Sequence, residues 1–406
     1  MDQARGRRDG LRRPLDDALI RSFVTLPDRL GPTRPTDAAT ERALLTGSHP
    51  LSPGLTIIPF VVDRRGEVVG RCALSWRTDV DSPGAGAGLD PASPRGDTGP
   101  RGAPPADPQT TAGQTKPGAA RPAPDAAPRT AQLGFFDCVN DPTVAGELFA
   151  RAADAAREFG RTELIGPVDA SFWLHYRQKI DHFSDPYVGE PTNPPYYPHL
   201  WADAGWEVAH RYVSVMNMAP PADFHDPILE RRLARAVQRG YRLAPLDLRQ
   251  WDVVFPQIHE LFTRLYARLP LFHGLSLDAF TTVFGSLRRV VHPDLITLAW
   301  RDDELAGFFI ALPDFGDLTL RRLTPANLAK ILWRKGHFER IVAAYLGVTE
   351  PGLGPALSAR LVEQARQRGV GIVSSLINEG VPTSAYAPGL ALDQRHYVLW
   401  RQALTT

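Results

Sequence analysis

Apolar and polar positions change period repeatedly along this chain, and the changes predict its elements. TIIPFVVDRRGEVVGRCAL alternates on both sides of Gly66 and predicts a hairpin, and LGFFDC predicts a third strand ending at Cys138. In NDPTVAGELFARAADAAREFG, Asp141 can cap a helix and Pro142 suits its first position. Val144, Leu148, Ala152, Ala155 and Phe159 then line one face. After the proline-bearing NMAPPADFHDP the order resumes with a helix over 228–239 that leads into YRLAPLDL, followed by helical periodicity over 252–269. LITLAWRDDELAGFFIALPDF predicts a second hairpin, turning at Asp302, Asp303 and Glu304. A basic helix over 326–335 precedes RIVAAYLGV, an unbroken apolar strand suited to a sheet centre. A helix starting at Pro355 and closing at Gly369, the strand GIVSSLIN, a short helical stretch and the strand RHYVLWRQAL complete the chain. The order hairpin, strand, loop, helix, strand thus occurs twice, which predicts a duplicated unit.

Two stretches break the pattern. Residues 1–17 are rich in Arg, Asp and Gly without apolar periodicity and predict a disordered basic arm. Residues 79–130 are dominated by Pro, Gly, Ala and Thr and cannot offset the entropy of ordering, so they predict a disordered insertion between two neighbouring strands. A linker between independent domains is the other reading, although the hairpin before it is too small to fold alone. The expected organisation is an N-terminal domain over 18–216 carrying that insertion and a C-terminal domain over 222–406.

Particular residues carry a resemblance. Phe23, Pro27 and Leu30, the turn and exit Gly66, Gly70 and Arg71, the run Gly134 to Cys138, Asp141 with Pro142, Gly166 with Pro167, and Asn193 to Tyr197 follow one another in order. In that order they resemble bacterial tandem proteins of the GNAT superfamily of N-acyltransferases. The resemblance implies an α/β tandem GNAT fold, with two mixed, mostly antiparallel sheets flanked by helices. It also implies an acyl-coenzyme A, acetyl-coenzyme A above all, as donor.

In that family the strand that ends in a Gly-bearing loop presents backbone N–H groups to the coenzyme pyrophosphate. The counterparts here are Gly347, Val348, Gly352, Leu353 and Gly354, and the missing side chains of Gly352 and Gly354 would let phosphate oxygens approach. Thr349 departs from the family's Gln or Arg, the loop is short and without a basic residue, and Pro355 removes a donor. A plain strand-to-helix turn is the other reading. The equivalent turn of the first half has no glycine, and Asp141 there would repel phosphate, so that half reads as degenerate.

For the chemistry, Glu379 is the candidate base and Tyr386 the candidate acid for the leaving thiolate, with the Val348 N–H polarising the thioester carbonyl. An exposed turn carboxylate and a packing ring are the competing readings. Asn193, Tyr196 and Tyr197 form either a substrate wall or a rigid loop whose rings cap the core.

Charge and composition narrow the partners. Lys and Arg total 46 against 45 Asp and Glu, so no global field draws the chain to DNA or to a membrane. Arginines at 231, 232, 235, 239 and 242 read as a solvated face. Cys72 and Cys138 give no disulfide framework, the histidines give no metal spacing, and Cys138 reads as a small buried hydrophobe. These features fit a cytoplasmic monomer or homodimer acting on a small-molecule amine, without a metal. An aminoacyl-tRNA-dependent, Fem-like transferase and a non-catalytic binding protein are the alternatives, the first with tRNA as its partner.

Overall fold

The structure, a computed structural model, describes residues 16–30, 38–78, 129–267, 269, 271–289, 291–320, 324–379 and 388–405. The predicted arm, except its last two residues, and positions 79–128 of the predicted insertion lie outside them. Thr130, expected inside the insertion, already opens a strand, and Asp17 opens a helix.

The first half runs α1 (Asp17–Leu30), α2 (Ala38–Leu45), β1 (Leu55–Arg64), β2 (Glu67–Arg77), β3 (Thr130–Cys138), α3 (Pro142–Glu158), β4 (Glu163–Gly166), β5 (Gln178–Lys179), α4 (Tyr197–Asp203) and β6 (Glu207–Asn217). The second half runs α5 (Pro227–Gln238), β7 (Arg242–Pro245), α6 (Trp251–Tyr266), α7 (Leu277–Phe284), β8 (Ile296–Arg301), β9 (Glu304–Pro313), α8 (Pro325–Arg334), β10 (Arg340–Val348), α9 (Leu353–Arg368), β11 (Gly371–Asn378) and β12 (Ala391–Ala403). The caps are those the residue types dictate. Asp141 accepts from the Thr143 N–H at 2.8 Å, and Asp226 accepts from the N–H groups of Ile228 and Leu229.

The α/β mixture is as expected, but the expected two sheets are one. The strands lie in the order β1-β2-β3-β4-β12-β6-β11-β10-β9-β8-β7, with β5 beside β12. The last strand of each half has crossed over. β12 lies between β4 and β6 of the first half, and β6 pairs with β11 of the second. This exchange pairs backbone groups that two separate sheets would leave along open edges.

Apolar side chains close over both halves. Val144, Leu148, Phe149 and Ala152 of α3 pack on β2 and β3, with Tyr197, Leu200 and Trp201 of α4 beside them. Leu353, Ala356, Leu357 and Leu361 of α9 pack with Ala236 of α5 on Ile341 and Ile372. Val254, Ile258, Leu261 and Phe262 of α6 cover Phe308 with Phe280 of α7. Arg71, one of the residues that carried the resemblance, is fully buried. Its guanidinium contacts Asp137 at 2.7 Å, Glu41 at 2.5 Å and the Phe23 carbonyl at 2.7 Å, tying α1 and α2 to β2 and β3.

Candidate functional site

Two strands of the second half, β10 and β11, part company along their length. β10 and β11 pair in parallel only from Arg340 and Gly371 to Ala343 and Ser374, although β10 runs on to Val348 and β11 to Asn378. β10 is irregular between Ala343 and Tyr345, while β11 is irregular between Ser374 and Ile377, where Leu376 has φ 54°. The Leu376 N–H donates to Ser214 Oγ at 2.9 Å and the Ser375 hydroxyl to the Ala343 carbonyl at 2.7 Å, so both irregularities are held in place. On its other edge β10 stays paired, the Thr349 N–H donating to the Ala306 carbonyl. Backbone alternation therefore turns the groups of Leu346 and Val348 toward the gap, where Tyr266 O–H donates to the Leu346 carbonyl at 3.1 Å. Gly347 gives room to Phe308, whose ring would lie 2.7 Å from an added Cβ.

The loop beyond β10 ends in a helix start with open space beside its capping residue. Gly352 caps α9 with φ 88°, and a Cβ there would meet nothing within 4 Å. The helix begins at Leu353, not at the expected Pro355, because the left-handed glycine lets the chain turn two residues earlier. Pro355 falls in the first turn, where its missing N–H costs little. Gly354 is buried in the same turn, its carbonyl accepting from the Ser358 hydroxyl at 3.1 Å.

A cavity of about 100 Å³ opens here, lined by Pro351, Gly352 and Leu353, by Arg232 and Arg235 of α5 and by Arg239 at its C-terminal cap. The loop itself has no basic residue, as expected; the cations come from another helix. Their spacing of three and four residues places them on one helical face, a signal present in the sequence but indistinguishable there from a solvated stripe. Glu350 pairs with Arg239 and, at 2.8 Å, with Arg301. The hydrogen bond from Tyr241 and these two cations hold the Glu350 pKa below the usual carboxylate value.

Aromatic rings surround the other side of the gap. The Arg177 guanidinium lies 3.8 Å from the centre of the Tyr176 ring and 4.2 Å from that of Tyr212, with its backbone at φ 79°. Tyr212 is paired in register with Asn378, the last residue of β11. Tyr345 is 38 % exposed, yet burial raises its hydroxyl pKa, the combination expected of a ring lining a recess. Glu379 lies exposed just beyond β11, its N–H donating to the Arg211 carbonyl at 3.2 Å. Tyr386 lies outside the described residues.

In the first half β4 ends at Gly166 and β3 runs on without it, the Leu133 carbonyl accepting from the Val168 N–H at 2.8 Å. β3 and β4 pair only over Thr130–Gln132 and Glu163–Ile165. Tyr197 Oη accepts from the Cys138 N–H at 3.1 Å, and Tyr196 O–H donates to the Cys138 carbonyl at 2.8 Å. Asn193 accepts from the Lys179 N–H at 2.8 Å and donates to the Lys179 carbonyl at 3.1 Å. Asn193 and Tyr197 line, with Arg177 and His175, a cavity of about 20 Å³, which is water-sized. Burial pushes the Cys138 thiol up to about 12, so it stays protonated, in keeping with a small buried hydrophobe.

Compared with known proteins, the chain is 26 % identical over 210 residues to a bacterial ceramide synthase of Caulobacter vibrioides, covering 50 % of this chain and 53 % of that protein. It is 22 % identical over 209 residues to protein YghO of Escherichia coli, with 50 % and 53 % covered. The chain thus spans about half the length of these curated relatives. Among solved structures it is similar to a tandem GNAT protein from the clavulanic acid biosynthesis pathway, at 15 % identity, 96 % coverage of both chains and a TM-score of 0.46. No family model matches. What the chain itself shows is one mixed sheet flanked by helices, with β10 and β11 separated and α9 capped by Gly352. Among the described residues no group of three His, Cys, Asp or Glu could hold a metal ion, and no helix is long and apolar enough to cross a membrane.

Proposed function

We propose that this chain transfers an acyl group from an acyl-coenzyme A to an amine. One observation carries the proposal: the gap between β10 and β11 leads to a glycine-capped helix start that three arginines of α5 and its C-terminal cap flank. The pyrophosphate would lie at Gly352 to Gly354, where helix N–H groups and Arg232, Arg235 and Arg239 converge, with the thioester in the gap near the Val348 N–H. The amine nitrogen attacks the thioester carbon, the Val348 N–H stabilises the oxyanion, and the C–S bond breaks as the amide forms. The proton lost by the amine leaves through water toward Glu379, and the coenzyme thiolate takes a proton from Tyr386. The relative named a ceramide synthase supports an acceptor whose amine belongs to a long-chain molecule.

Calorimetric titration with coenzyme A tests the donor. The unaltered chain should bind it, and Arg232→Glu with Arg235→Glu should weaken binding by roughly tenfold or more, since hydrogen bonds to charged groups contribute about 1.5–3 kcal/mol each. Absence of binding by the unaltered chain, with transfer RNA retained instead, would move the donor to aminoacyl-tRNA. Binding without turnover of any long-chain amine would leave a binding protein.

A further inference from the structure

α8 is unlike the other long helices of this fold. It has no buried residue; Ile331, half-buried, packs toward Phe315, Leu318 and Val342. Beside and beyond Ile331 the helix surface is apolar and exposed. Leu328 and Leu332 stand one turn apart at 39 % and 51 % exposure, and Trp333 follows at 62 %. The Trp333 ring stacks on His337 at 4.7 Å, and the His337 Nδ1–H donates to the Trp333 carbonyl at 3.0 Å, so the indole is held outward by its own helix end. Lys330 is exposed among these residues, Arg334 donates to the Phe315 carbonyl at 3.3 Å while staying exposed, Lys335 is half-buried, and the run TPANLAKILWRKGH contains no Asp or Glu.

We infer that α8 is an interfacial helix that docks this protein on an anionic phospholipid surface. Exposed leucines with an outward indole and lysine or arginine neighbours are what lies favourably at a headgroup boundary: the rings and chains enter the acyl edge while the cations meet phosphates. A second copy of this chain is the poorer occupant. A two-fold contact would set this all-cationic helix against itself, and like charges facing each other oppose association. Net charge is close to zero over the whole chain, so the attraction is local to this helix. The inference deepens the long-chain amine reading, because a lipid acceptor is reached most directly from a bilayer surface; it rests on that reading only for its purpose, since membrane binding is measured without turnover.

Flotation of the full chain with vesicles of phosphatidylcholine alone, and of phosphatidylcholine containing phosphatidylglycerol, tests the inference. The unaltered chain should float with the anionic vesicles, weakly with neutral ones, and less as salt is raised. Lys330→Glu should weaken flotation by roughly fivefold. Leu332→Ser with Trp333→Ser should abolish it while leaving the melting temperature and coenzyme A binding unchanged, because neither side chain is buried. Failure of the unaltered chain to float, or equal flotation of the serine variant, overturns the inference. So does a dimer in light scattering that the serine variant converts to monomer while vesicles remain unbound. Flotation without coenzyme A binding would sink the donor reading and leave the docking surface standing.

Discussion

Arg71 illustrates how much of this fold rests on single side chains. Its guanidinium lies between two carboxylates that are themselves buried, Glu41 from α2 and Asp137 from β3. Such a group contributes little relative to an apolar substitute of the whole set, but removing one partner strands the others. Arg71→Met should therefore lower stability by about 3–5 kcal/mol in urea unfolding. Glu41→Gln and Asp137→Asn added to Arg71→Met should recover part of the loss, and no recovery would mean the damage is packing. Gly352 is a different case. Its φ of 88° strains any residue with a Cβ, although nothing crowds the position. Gly352→Ala should cost about 1–2 kcal/mol of stability from the left-handed conformation. An unchanged melting temperature would show that the turn can relax to negative φ.

At the scale of elements, the crossing of β6 and β12 has consequences for how the chain can be divided. β12 supplies the partner that β4 and β6 both need, and the first half without it keeps two strands with open edges. Residues 18–216 produced alone should aggregate or remain unfolded, and adding residues 388–405 as a separate peptide should improve their solubility. A monomeric, cooperatively melting fragment over 18–216 would contradict this. The insertion can be argued from the strand ends that flank it. β2 and β3 are antiparallel neighbours with Ser75 opposite Gln132, so residues 78 and 129 emerge at the same end of the sheet. Replacing 79–128 with a short Gly/Ser turn should leave the melting temperature nearly unchanged, because loop closure depends only weakly on length. A large drop in differential scanning calorimetry would show that the segment packs on the fold.

For the whole molecule, histidines set the response to acid. Burial lowers the pKa of His49, His210 and His292 below the ordinary value of 6.5. The unfolded chain therefore binds more protons than the folded one between those lowered values and 6.5, and stability rises with pH across that window. Melting temperature should fall on acidification from about pH 7 to about pH 5, and replacing the three with Gln should flatten that fall. A triple variant with the same slope would place the effect on the carboxylates.

Local periodicity and capping determined the elements: Asp141 starts a helix and the Asp302–Asp303 turn joins two strands because those residues act on neighbours in the chain. Sequence alone also marked Gly352 and Arg71, since a glycine before a helix and an arginine after a glycine turn stand in order with the rest of the resemblance. Tertiary structure decided what depends on distant partners. It joined the two expected sheets into one through β6 and β12, and it separated β10 from β11 beyond Ala343. It turned Tyr196 and Tyr197 onto the backbone of Cys138, 58 and 59 residues away in the chain. It also brought Arg232, Arg235 and Arg239 to Gly352 from a helix more than a hundred residues earlier. Hydrophobic period reports which face of an element is buried, but not which other element covers it, and a phosphate-sized cluster of charge exists only once two helices have packed.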